Sequence, residues 1–267
     1  MKTILLHVNE DAGLESRLQS ALDMVRAFDG HLTCLQVTPF DAFIMGDPFG
    51  GVYALPAVLD KVREVEDLHK VKLEARLKGE GVSWDWLRYD GLPAQIIVDR
   101  ARLFDLIVLS LPGGALDGPQ SLVPDVALHA RTPVLAVPSA IRAFDVRGTA
   151  LVAWNGALEA SHALRLAIPI LRRASGVKVV TVSEDQSEFP ATDASLYLDR
   201  HGIAAELHEW PRGDGSIAEA LIDASAVLGA NYVVMGAFGY SRLREAVLGG
   251  VTRDMLRHSA LPLVVAH

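Results

Sequence analysis

Cysteine occurs once, at Cys34, and aromatic residues make up 6% of the chain. A single thiol excludes an internal disulfide framework and any metal cluster built from cysteines, and it fits a reducing compartment. No stretch approaches the roughly 18 consecutive apolar residues that a spanning helix needs. The apolar run at 4–8 is far too short for a signal-peptide core, so the chain reads as soluble, unprocessed and cytoplasmic. A basic run is missing too: 25 Lys and Arg stand against 33 Asp and Glu, for a formal charge of -8. That balance argues against nucleic acid and membrane surfaces as partners. What is present is apolar material: half of the 267 residues are hydrophobic, enough for one large core or two of ordinary size.

The chain repeats itself. Residues 3–9 (TILLHVN) resemble 149–155 (TALVAWN), so that Asn9 and Asn155 stand 146 positions apart. Residues 125–137 resemble 254–266, with Asp125, His129 and Pro133 matching Asp254, His258 and Pro262. The second spacing is shorter than the first, so the first copy is the longer one. Two domains follow, 1–147 and 148–267, the first carrying an insertion at 39–56 that holds Phe40, Phe43, Phe49 and Tyr53. That insertion reads as a loop folded onto its own domain, or else as a lid or a partner surface.

Each copy alternates short apolar runs with helical periodicity. Strands are expected at about 3–8, 31–37, 82–89, 105–110 and 133–137, then at 149–154, 177–183, 203–210, 231–236 and 262–266. Helices are expected at about 14–28, 57–79, 93–103 and 122–130, then at 157–174, 190–201, 216–228 and 249–259. The pattern predicts an α/β protein made of two tandem, doubly wound, Rossmann-like parallel sheets. Ligands would then lie beyond the carboxyl ends of the strands.

The most specific motif is VVMGAFGYSRLREAVLGGVTR at 233–253. A buried strand ends on Met235 and Gly236. Gly236 and Gly239 let backbone approach a ligand, Gly249 and Gly250 leave free N–H groups where the last helix begins, and Thr252 adds a hydroxyl to its first turn. Arg242, Arg244 and Arg253 add positive charge, so a small anion fits. In the first copy Ser110, Pro112 and Pro124 stand at the corresponding loop, where a side chain replaces a glycine and N–H donors are lost. That copy reads as degenerate for the same ligand.

The glycine spacing, Gly236-x2-Gly239-x9-Gly249-Gly250, resembles the nucleotide-binding signature of the universal stress proteins, and the resemblance extends over the chain as a tandem pair. It implies an adenine nucleotide fold, with the phosphates of ATP, ADP or AMP over Gly236, Gly239, Gly249, Gly250, Val251 and Thr252. It also implies Trp154, Asn155 and Gly156 at the adenosine and Val182 at the base, with Mg2+ accompanying a triphosphate. Met235 and Arg242 flank this set. Asn155 replaces the family's usual Asp, and Gly250 replaces its Ser or Thr. Family members commonly pair through the last strand. Here the strands at 133–137 and 262–266 would pair within one chain, and a homodimer through the aromatic segment would follow. The function implied is a stress-response regulator or sensor. Hydrolysis would be slow at most, because no general base or water-orienting carboxylate is evident near the motif.

Competing motifs are weaker. Residues 213–218 (GDGSIA) mimic a dinucleotide fingerprint, but they follow the third strand of their copy, and Ser216 reads as a helix cap. No P-loop, serine-hydrolase elbow or paired-histidine metal motif is present. Two alternatives remain beside the nucleotide reading: a scaffold that binds no nucleotide, and a sensor closing the aromatic insertion over a small apolar molecule.

Overall fold

Strands buried on both faces favour apolar residues throughout, and Ile4, Leu5, Leu6 and Val8 supply them here. In the computed structural model they lie in β1 (Thr3–Val8), where Ile4, Leu5 and Leu6 are fully buried. The structure describes residues 1–39, 44–46, 52–54, 56–111, 122–182, 189–239 and 250–267. After β1 come α1 (Leu14–Phe28), β2 (His31–Thr38), β3 (Ile44–Gly46), β4 (Val52–Ala54), α2 (Pro56–Gly79) and β5 (Ser83–Asp90). The first half is completed by α3 (Pro93–Arg100), β6 (Leu106–Ser110), α4 (Val123–His129) and β7 (Val134–Val137). The second half runs β8 (Thr149–Ala153), α5 (Leu158–Leu171), β9 (Gly176–Val182), α6 (Ala191–Arg200) and β10 (Ala205–Trp210). It continues with α7 (Ile217–Val227), β11 (Tyr232–Gly236), α8 (Val251–His258) and β12 (Leu263–Ala266).

Ten strands form one sheet in the order β10-β9-β8-β11-β12-β7-β6-β1-β2-β5. Within each half every pairing is parallel. The halves meet at β7 and β12, which pair antiparallel with Val264 opposite Leu135. The short apolar end strands thus cover each other, and neither remains a bare edge. Side-chain alternation divides the core between the two faces. Ile4, Leu6 and Val8 pack on the side of α1, α5 and α6. Leu5, Leu109 and Met235 pack on the side of α3, α4, α7 and α8. In each half the first strand is flanked by the second on one side and by the fourth parallel strand on the other. The crevice at that reversal opens beyond the carboxyl ends of β1 and β6, and of β8 and β11.

The insertion at 39–56 contains a small hairpin, β3–β4, pairing Ile44 with Ala54 and Gly46 with Val52. Strands of three residues are too short to show a period in sequence, which is why the segment reads as a loop. Phe40, Phe43 and Phe49 lie outside the described residues, and with them the reading of this segment as a lid or partner surface. Elsewhere the short motifs resolve into helix ends. Ser216 and Glu219 form a reciprocal capping box at the start of α7, so the dinucleotide-like stretch is a cap. His129 and His258 each place Nδ1 against the carbonyl four residues earlier, at 2.8 and 3.1 Å, a shared structural role in the two halves. Among the described residues no helix is long and apolar enough to cross a membrane. Burial pushes the Cys34 thiol up to about 12.

His7, on β1, is 7% exposed. Burial first, and the Arg17 guanidinium second, push its imidazole from 6.5 down to about 3. The unfolded chain therefore takes up a proton near pH 6.5 that the native chain refuses until about pH 3. Stability is full above pH 6.5 and falls as the pH drops towards 3, by at most about 1.4 kcal/mol per pH unit. His7→Gln is expected to flatten that slope in urea unfolding between pH 7 and pH 4, and an unchanged slope would place the titrating group elsewhere.

Candidate functional site

A cavity of about 290 Å³ opens beyond the carboxyl ends of β8, β9 and β11. Its apolar part is lined by Val180, Val182, Ile217, Leu221 and Met235. Its other part is lined by Asn155, Glu159, Gly236, Gly239, Val251 and Thr252. The structure thus gathers Trp154, Asn155, Val182, Met235, Gly236, Gly239, Val251 and Thr252, eight of the residues expected from sequence, around one space. Gly156 and Gly250 do not line it. Gly156 takes the left-handed φ of +72° that turns the chain out of β8. Gly250 is the N-cap of α8 and makes no side-chain cap bond. Arg242 and Gly249 lie outside the described residues, as does Arg244.

Local chemistry explains how each group is held. Asn155 Oδ1 accepts a hydrogen bond from the Ala157 N–H at 3.1 Å, closing the turn into α5. Its carbonyl is therefore engaged by its own helix, and the amide NH2 is what it can offer a ligand as a donor. Trp154 is 6% exposed, and its indole N–H donates to the Phe189 carbonyl at 3.0 Å. Thr252, in the first turn of α8, accepts from the Phe238 N–H at 3.2 Å, which ties the glycine loop to the helix. Phe238 itself has φ +53°, an uncommon conformation for a side chain of that size. Gly236 is dictated by proximity: a Cβ there would stand 2.6 Å from Ala160 N and from Glu159 C.

Sequence reasoning missed Glu159. No carboxylate was expected near the motif, yet α5 brings one to it. Glu159 is 7% exposed, its Oε2 is shielded from solvent without a hydrogen-bond partner, and a Cβ on Gly239 would lie 3.2 Å from that oxygen. An acidic residue in the first turn of a helix is ordinary charge complementarity, so nothing in the sequence distinguished this one. Ile217 and Leu221 were missed for a similar reason, since α7 reads simply as an amphipathic helix.

The first half has an opening of its own beyond β1 and β2, lined by Val8, Asn9, Leu14, Gln36 and Val37, and it differs from the second half at the end of β6. At the 146-residue spacing of Asn9 and Asn155, Glu159 corresponds to Gly13, and Ala163 corresponds to Arg17. Arg17 is 1% exposed. Its Nη1 donates to Asp11 Oδ1 at 2.5 Å and to Ser110 Oγ at 2.8 Å, its Nη2 to the Asn9 carbonyl at 2.5 Å, and its Nε to the His7 carbonyl at 2.8 Å. Ser110 stands at the end of β6, as Gly236 stands at the end of β11. A guanidinium bonded to Asp11, to Ser110 and to the chain leaving β1 thus ties the end of β6 to the loop after β1, where the second half has Gly236 and no such charge. Among the described residues no group of three or more His, Cys, Asp or Glu is arranged to hold a metal ion.

Two tandem doubly wound halves, one with a crevice beside Gly236 and Gly239, define an α/β fold that carries a candidate ligand site. Residues 147–267 match the model of the universal stress protein family. Over its full length the fold is similar to the crystal structure of a universal stress protein from Archaeoglobus fulgidus DSM 4304, with a TM-score of 0.75 at 15% identity, covering 98% of this chain and 97% of that one. A putative universal stress protein from Pseudomonas aeruginosa UCBPP-PA14 gives a TM-score of 0.57 at 17% identity, covering 100% and 93%. A universal stress protein family member from Burkholderia pseudomallei is 24% identical over 45% of this chain and 96% of its own, with a TM-score of 0.35. No curated protein matches the chain. Residues 147–267 are thus a universal stress protein domain, and over its full length the chain shares the fold of a universal stress protein.

Proposed function

We propose that the domain at 148–267 binds one adenine nucleotide and that the chain works as a cytoplasmic stress-response regulator or sensor. One observation carries the reading: a single cavity joins an apolar end, at Val180, Val182, Ile217 and Leu221, to a glycine-lined end at the start of α8. The apolar end suits the flat face of a base. The other offers backbone N–H groups and the positive end of a helix to phosphate. Its volume, about 290 Å³, falls just under the roughly 300–1,000 Å³ usual for ligand pockets, which suits a single nucleotide. In this reading Asn155 donates to the ribose, and the domain at 1–147, where Arg17 is bonded to Ser110 at the end of β6, binds no nucleotide.

Calorimetry with ATP, ADP and AMP tests the reading on the wild type and on Gly239→Val. A side chain at position 239 would meet Glu159, and binding is expected to weaken at least about tenfold, or 1.4 kcal/mol. Absence of binding by the wild type would refute the reading, and equal binding by the variant would move the site elsewhere.

A second reading is favoured by a separate cavity of about 410 Å³ in the first half, lined by Val8, Leu14, Val37, Val65, Leu73 and Trp86. A small apolar molecule held there would make the chain a sensor through its first half. An environment-sensitive dye that is displaced from the wild type but not from Leu14→Arg would support it.

A further inference from the structure

The Glu159 carboxylate is out of place in a phosphate site. It lies in the wall of the cavity beside Gly239, almost wholly buried, with Oε2 unpartnered and out of contact with solvent. Buried carboxylates are ordinarily paired or bound to a metal. A phosphate drawn to the Gly236–Gly239 loop would meet this negative charge at close range in a medium where charges are poorly screened. The two halves solve the same problem differently. In the first, Asp11 at the corresponding loop is met by the guanidinium of Arg17. In the second, Ala163 holds the position of Arg17 and supplies no charge, while the acidic residue is Glu159.

Resting on the nucleotide reading above, we infer that Glu159 makes a divalent cation the condition for admitting phosphate. The cation takes Oε2 as its one protein carboxylate and completes its shell with phosphate oxygens and water. Mg2+ suits this role, because it commonly binds through one or two carboxylates plus substrate phosphates and keeps several waters. A site built this way selects the nucleotide by its charge. Without the cation it holds adenosine better than ATP, and with the cation the order reverses. Glu159 sets specificity here without contacting the base or the sugar.

The test is calorimetry of the full chain with ATP and with adenosine, each in excess EDTA and in saturating MgCl2. For the wild type, removing the metal is expected to weaken ATP at least tenfold and to leave adenosine unchanged. In Glu159→Gln, which keeps the shape of the side chain, ATP should bind in EDTA at least as tightly as to the wild type, and the dependence on metal should vanish. Metal dependence persisting undiminished in the variant would place the cation elsewhere. Loss of adenosine affinity in the variant would show that the carboxylate holds the ribose or base. Either result overturns the inference. If adenosine binds while wild-type ATP binding ignores the metal, the inference fails and the nucleotide reading stands. If neither ligand binds under any condition, the nucleotide reading fails and the inference falls with it.

Discussion

Gly236→Ala is expected to weaken ATP binding by more than tenfold and to destabilise the protein by about 1–3 kcal/mol, the usual range for inserting a carbon into a well-packed contact. The added methyl would stand 2.6 Å from backbone atoms of Glu159 and Ala160, and neither can rotate away. The end of β11 and the start of α5 must separate, and both line the same cavity. The first half shows how such crowding is otherwise relieved: Ser110 occupies the strand end, and the glycine has moved to the helix side. A Cβ on Gly13 would lie 2.3 Å from Ser110 Oγ. Urea unfolding and calorimetry check both parts, and a Gly236→Ala variant that binds and unfolds like the wild type would refute the account of this contact.

Arg17→Met should destabilise the protein strongly. The side chain is volume-conserving along its stem, yet four donated hydrogen bonds disappear, to the carbonyls of His7 and Asn9, to Ser110 and to Asp11. Removing one partner of a buried ion pair costs about 3–5 kcal/mol. Because the Asp11 side chain retains 28% exposure, the stranded carboxylate keeps some water, and the lower end of that range is expected. The variant should also weaken the downward push on the His7 imidazole, which moves the acid limb of the stability profile. A loss below about 1 kcal/mol would mean that the first half does not depend on these bonds.

The fold was readable because its cause is repetitive. Apolar runs of four to eight residues alternate with longer amphipathic stretches, and the lengths alone separate strand from helix. The repeat between Asn9 and Asn155 then sets the two halves in correspondence, and the short strands at 133–137 and 262–266 pointed to a shared edge. The hairpin within the insertion was hidden by its brevity. At the site, the glycines and Thr252 were visible because spacing marks a loop that leads into a helix. Glu159 and Arg17 were not visible, because each sits on a helix, where an acidic first turn or a lone arginine has an ordinary explanation. Only the crossing of α5 against β11, and of α1 against β6, reveals what they touch. Their roles live in packing, and the repeat offset that pairs Gly13 with Glu159 acquires meaning once those contacts are known.

The central claim is that the half at 148–267 holds an adenine nucleotide and that the half at 1–147, with Arg17 bonded across the end of β6, does not. The most direct measurement is the number of adenine nucleotides bound per chain at saturation, by calorimetry with ATP in the presence of Mg2+. The account predicts one. A stoichiometry of two would contradict the exclusion of nucleotide from the first half, and a stoichiometry of zero would contradict the nucleotide site itself.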